Sequence, residues 1–128
     1  LLKTLFKDIT QADEQTIDQS SMDDRDKQFM KQLHQIIQSN LSRSEFGVED
    51  IGREIGLSRV QLYRKVKAMT GSSVVDLMRK ARLYKAKRLL ESRSMSISEV
   101  AYEVGFSAPS YFTKCFKDEY GMLPGEVG

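Results

Sequence analysis

Cysteine, histidine, proline and tryptophan are all but missing from these 128 residues, and each shortage removes a class of protein. A single Cys cannot close an intramolecular disulfide, and one Cys with one His cannot build a structural zinc site, which excludes a stapled or metal-held fold. No apolar run approaches the roughly 18 residues needed to cross a bilayer, and the first residues lack the segments of a secretory signal. A cytoplasmic location with no membrane contact is expected. There is no Gly-rich phosphate loop, nucleophile elbow or paired carboxylate with a companion acid, so neither an enzyme activity nor a cofactor or metal is expected. His34 lies beside an apolar stripe without a second ligand and reads as an ordinary surface or half-buried histidine. Cys115 reads as a small core filler, the usual behaviour of a free cysteine.

An excess of either charge is missing too, since 20 Lys/Arg against 18 Asp/Glu leave a net +2. The distribution is uneven. Residues 1–50 carry six basic and ten acidic side chains, and the other 78 carry fourteen basic and eight acidic. Such asymmetry is a pointer to a nucleic-acid surface on the basic part, although solvated helical lysines produce the same count. The length allows one ordinary domain or two small ones. The chain begins with Leu1 rather than Met, which points to a piece of a larger protein.

What is there is helical. Pro109 and Pro124 are the only prolines, and apolar residues recur at helical spacing after position 22. Asp23 or Asp24 can cap a helix whose stripe is Phe29, Leu33, Ile36 and Ile37 and which should end near Asn40. Residues 1–22 read as a leader or linker, with an apolar cluster at Leu1, Leu2, Leu5 and Phe6 that could start with a short helix. From Val48 an internal repeat appears: VEDIGREIGLSRVQLYRKVKAMTG at 48–71 aligns with ISEVAYEVGFSAPSYFTKCFKDEYG at 97–121, with one extra residue in the second copy's turn. Each copy reads as helix, tight turn, helix. Gly56 and Gly105 break the first helices, Gly71 and Gly121 end the second, and Ser58 to Gln61 and Ser96 to Glu99 have capping-box spacing. Pro109 suits a first helical turn, where its missing N–H costs nothing. Between the copies, Ser73 to Ser92 reads as a helix roughly 27 to 30 Å long.

If Leu62, Val66 and Met69 point inward, then Val60, Tyr63, Arg64 and Lys67 share the outer face of the first copy's second helix. In the second copy Phe112 and Phe116 point inward, leaving Ser110, Thr113, Lys114 and Lys117 outside. Arg64 corresponds to Lys114 and Lys67 to Lys117. Basic and hydrogen-bonding side chains in equivalent places on two helices are what a pair of major grooves requires, because Arg and Lys bond guanine O6 and N7 and Ser or Thr reaches either base type. A merely solvated amphipathic face is the competing explanation for either helix alone.

These motifs closely resemble the DNA-binding domain of the AraC/XylS family of bacterial transcription regulators. The resemblance is carried by Ile97, Ala101, Gly105, Phe106, Ser110, Tyr111, Phe112, Phe116, Lys117, Gly121 and Pro124, and extends over about residues 45–127 with Arg82, Leu83, Ala86, Leu89 and Leu90 of the central helix. It implies an all-α chain of seven or so helices: two homeodomain-like helix-turn-helix subdomains, at 23–72 and 93–128, joined by a long linker helix at 73–92. By motif position it offers Arg59, Val60, Tyr63 and Arg64, with Pro109, Ser110, Tyr111, Thr113 and Lys114, as base readers. Tyr111 could instead pack on the core, and Pro109 could serve only to start its helix. Lys67, Arg79, Arg82, Lys117 and the amides opening the short helices are the phosphate candidates. Departures are Gly52 in place of the usual Ala, Gly47 at a capping position and Val127 where an aromatic residue is usual.

The segment Ser21, Met22, Asp23 leading into Phe29 looks like the junction before the output domain of hybrid two-component sensors of gut Bacteroidetes. That resemblance implies a phosphorelay receiver domain upstream, a parent chain anchored in the inner membrane, and transcription activation. Double-stranded DNA is the expected partner, RNA polymerase a further candidate, and a dimer on direct-repeat sites a candidate assembly. The alternative is a helical protein-interaction module whose basic face meets an acidic protein.

Overall fold

The computed structural model describes residues 24–127; the leader at 1–22, the capping role offered to Asp23, and Gly128 lie outside them. Among the described residues there are six α-helices and no strand: α1 Asp24–Ser39, α2 Val48–Ile55, α3 Arg59–Thr70, α4 Val74–Ser92, α5 Ile97–Glu103 and α6 Pro109–Tyr120, followed by a 3₁₀ turn at Pro124–Glu126. None of these helices is long and apolar enough to cross a membrane.

The helices begin and end where local chemistry tells them to. Ser58 Oγ accepts the Gln61 N–H at 3.2 Å while the Gln61 side chain accepts the Ser58 N–H at 2.9 Å. Ser96 and Glu99 make the same reciprocal pair at 3.1 and 2.8 Å. Both bonds satisfy amides that a helix start leaves without partners. Gly47 has no side chain to cap α2, and the N-terminus is half-closed from the other side, by Asp50 accepting the Gly47 N–H at 2.9 Å. Gly56, Gly71 and Gly121 follow their helices with φ of 81°, 77° and 71°. Gly52 is required by contact rather than by dihedral, since a Cβ there would lie 2.7 Å from the Leu57 carbonyl oxygen.

The chain divides into two compact units, and the division differs from 23–72, 73–92 and 93–128. Among the described residues the first unit takes 24–40 and 46–78, and the second takes 41–45 and 79–127. The physical reason is in α4, which is not a bare spacer. Its start carries the buried Val74, Leu77 and Met78 of the first unit, and the remainder supplies Leu83, Ala86 and Leu90 to the core of the second. In the first unit Leu33, Ile37, Ile51, Leu62 and Val66 are wholly buried. Each such side chain contributes roughly 1.5–3 kcal/mol through removal from water.

The second unit is built on an aromatic ladder. Phe106, Phe112, Phe116 and Tyr120 meet in succession with ring centroids 5.3, 5.7 and 4.9 Å apart, all tilted. Cys115 is buried in the same core, and Val127 packs against it in the place an aromatic residue usually takes. The ladder starts at Gly105, whose φ is 90°. A Cβ on Gly105 would stand 2.1 Å from the Leu41 carbonyl oxygen and 2.9 Å from Arg82 Nε, so the turn excludes any side chain twice over. Gly56, the equivalent glycine of the first copy, has open space around it. Gly56→Ala should therefore cost about 1–2 kcal/mol, the left-handed backbone term alone, whereas Gly105→Ala should cost at least about 3 kcal/mol because overlap with backbone is added. Urea denaturation of the two variants checks this, and equal losses would contradict it.

Candidate nucleic-acid interface

In the first unit the turn from α2 to α3 is closed by two amides, those of Gly56 and Leu57, donating to the Gly52 carbonyl at 2.8 and 3.0 Å. The Ser58 cap then starts α3 with its phase set by Leu62, Val66 and Met69, which are buried. The opposite side is open. Val60 is 56% and Tyr63 50% exposed, far more than an apolar or aromatic residue shows when packing is its purpose. Arg59, Arg64 and Lys67 are exposed beside them. Arg59 Nη1 lies 3.5 Å from Glu49 Oε1, an exposed ion pair that holds the guanidinium only weakly. Lys65 is on the same helix but turns to α1, with Nζ 3.6 Å from Asp26 Oδ1 and 4.9 Å from the centre of the Phe29 ring. Neither Glu49 nor Lys65 had been singled out from the sequence.

In the second unit Ser96 occupies the amide of Glu99, which holds the Glu99 carboxyl below its ordinary range through the hydrogen bond from the Ser96 N–H. Pro109 opens α6 at its first turn and is half-buried, and Ala108 at the cap provides no side-chain bond. Phe112 and Phe116 are wholly buried. Ser110, Lys114 and Lys117 are exposed and Thr113 is half-buried. Tyr111 is 54% exposed, with its ring 5.9 Å from Phe106, and its phenol is pushed above its ordinary pKa chiefly by hydrogen bonding with Cys115, with Arg79 acting in the opposite direction. Arg79, Tyr111, Lys114 and Cys115 line one cleft of about 290 Å³ together with Asp118 and Glu119.

Arg82 stands differently from the other phosphate candidates. Its Nη2 donates to the Arg43 carbonyl at 2.8 Å, and its Nε is buried against Gly105 without a hydrogen-bond partner. Burial pushes its pKa down, with Glu45 acting in the opposite direction. The half-buried guanidinium therefore ties the 41–45 segment to its own unit. Charge and periodicity gave no sign of this, because the accepting carbonyl lies 39 residues away.

Two helix-turn-helix motifs, each with one helix buried by its apolar stripe and offering a basic outer face, define a DNA-binding domain. Residues 51–128 match the Helix-turn-helix domain family of AraC/XylS type. The chain belongs to that family of DNA-binding transcription regulators. It is 35% identical to histidine kinase P4 of Formosa agariphila over 79% of this chain and 7% of that protein. It is 31% identical to the HTH-type transcriptional activator RhaS of Mannheimia succiniciproducens over 76% of this chain and 36% of that one. The DNA-binding domain of AdpA, a global transcriptional factor solved in complex with a target DNA, superposes with a TM-score of 0.68 at 27% identity, covering 75% of this chain and 85% of that one. The chain thus spans only a minor part of the length of these curated relatives.

Arg82→Ala should lower the stability of the second unit by about 1.5–3 kcal/mol, the range for a hydrogen bond to a charged group. The dependence of DNA affinity on salt should stay unchanged. A decrease in the slope of log K against log salt by about 0.9 would instead mark Arg82 as a phosphate contact.

Proposed function

We propose that the chain is the output module of a larger signalling protein and reads two successive major-groove segments of duplex DNA, one with α3 and one with α6. The observation that carries this reading is the recurrence of one outward set on both helices: Arg64 and Lys67 on α3 and Lys114 and Lys117 on α6, each opposite a pair of wholly buried side chains. Arg59, Val60, Tyr63 and Arg64 read bases in one segment, and Pro109, Ser110, Thr113 and Lys114 line the other. Tyr111 shares that second face and is exposed on it. Lys67, Arg79 and Lys117 meet phosphates, which fix register without carrying sequence information.

The module binds and carries out no chemistry of its own. Its kinship with a histidine kinase supports a receiver domain upstream in the parent chain, and the activator among its relatives supports regulation by recruiting RNA polymerase. Both fit action in the cytoplasm, with any membrane anchor located elsewhere in the parent. Binding as a dimer on direct repeats is part of the same proposal.

Selection of bound duplexes from a random DNA library, followed by titration at several salt concentrations, tests the reading. Contact with about six to eight phosphates predicts a slope of log K against log salt of about −5 to −7. Recovery of no common sequence, together with tight binding to an acidic protein, would favour an interaction module instead. On the recovered site, Arg64→Ala and Lys114→Ala should each lose about 1–3 kcal/mol and relax discrimination at one base position. A loss that is equal on every sequence would remove that residue from the base readers.

A further inference from the structure

The first turn of α2 carries two carboxylates, Glu49 and Asp50, and the fold puts them to different uses. Asp50 serves its own helix: one oxygen accepts the Gly47 N–H at 2.9 Å and the other accepts from Arg53. Glu49 instead reaches across the motif, where its Oε1 accepts from Arg59 Nη1 at 3.5 Å, ten residues along the chain. The backbones that carry the two side chains are fixed relative to one another by the turn between them. The Gly56 and Leu57 amides both donate to the Gly52 carbonyl, and Gly52 leaves no room for a Cβ beside Leu57.

Arg59 occupies an electrostatically adverse place. It is the first residue of α3, where the helix dipole and the free amides present partial positive charge and a cation is disfavoured. The first turn of α3 has no acidic residue, and Glu49 supplies from α2 the negative charge that α3 lacks. Both side chains are largely exposed, so in water the pair adds little to stability, and holding the fold together does not account for it. The second copy makes the same point by omission. Glu49 corresponds there to Ser98, and Arg59 falls at the extra residue of the turn, Ala108 and Pro109. That copy has neither the cation nor the carboxylate, so the two charges are present together or absent together.

A guanidinium has five N–H donors in a rigid fork and can bond either guanine O6 and N7 or a phosphate. Phosphate is the more abundant acceptor on a duplex and, being anionic, the stronger one. We propose that Glu49 is a specificity-determining residue: its carboxylate holds the Nη1 end of the Arg59 guanidinium, offsets its charge so that phosphates no longer draw it, and presents the remaining N–H groups to a guanine. The pair gains strength when α3 enters the groove and water is displaced. This rests on the reading that α3 meets bases in duplex DNA.

The test measures affinity for the selected duplex and its single-base variants across a salt series, for Glu49→Ala, Arg59→Ala and the pair. Arg59→Ala should lower discrimination at one guanine by about tenfold. Glu49→Ala should lower discrimination at that same guanine by about as much, but by raising affinity for the altered duplexes. On those duplexes its salt slope should be steeper by about 0.9, because the released guanidinium takes up a phosphate. The double variant should discriminate there no worse than Arg59→Ala alone. A variant that merely loses stability weakens all duplexes alike and moves neither their ranking nor the salt slope. Unchanged discrimination in Glu49→Ala would overturn the proposal, as would an equal change on every duplex or losses that multiply in the double variant. If Arg59→Ala leaves every base preference intact, Arg59 reads no base and the proposal falls with it. If the unaltered chain selects no duplex, it is the DNA-reading function itself that fails.

Discussion

The carbonyl of Leu41 and the guanidinium of Arg82 close on the backbone of Gly105 so tightly that no side-chain carbon fits between them, and the second unit depends on that closure. Three separate stretches of chain meet at the point: the segment leaving α1, the middle of α4 and the turn between α5 and α6. Arg82 secures the first by bonding the Arg43 carbonyl. The turn fixes Phe106, and Phe106 in turn touches both Tyr111 and Phe112, the second of which sets the rotation of α6 about its axis. The facing of the basic residues on α6 is thus a consequence of close packing some distance from any of them. Helical periodicity alone would leave that face free to rotate by tens of degrees.

The two copies share a plan but secure their second helices by different chemistry. Position 65 of the first copy corresponds to position 115 of the second, and both lie at the inward edge of the helix. In the first copy a lysine reaches out to Asp26 and Phe29 of α1, so the helix is held by an ion pair and a ring face. In the second a cysteine is buried among aromatics. The ion pair is partly solvent-exposed and therefore weak and salt-sensitive, whereas the aromatic ladder is neither. Duplication preserved the faces and let the fastenings diverge, as expected where function constrains the outer residues and any adequate packing satisfies the inner ones.

Much of this was readable from the chain because the signals are local. A serine three residues before a Gln or Glu, a glycine after a stripe, and apolar residues at i, i+3 and i+4 all act within one or two turns, and α1, α3, α5 and α6 follow them. The facing of Arg64, Lys67, Lys114 and Lys117 came from the same periodicity. The partners were not readable. Arg82 is an exposed basic residue by every local criterion, and only the arrival of Arg43 makes it a fastening. Lys65 looks like another outward cation until Asp26 and Phe29 are brought beside it. Long basic side chains are the residues for which sequence says least about burial, since their apolar stems pack while their charged ends seek whatever acceptor the fold supplies.

The division of α4 follows from the size of the units. Among the described residues each has only some 50, close to the size below which a single core is marginal. A linker that merely connected them would leave each with its own turn-helix pairs and too little apolar area to bury. By giving Val74, Leu77 and Met78 to one unit and Leu83, Ala86 and Leu90 to the other, one continuous helix completes both cores.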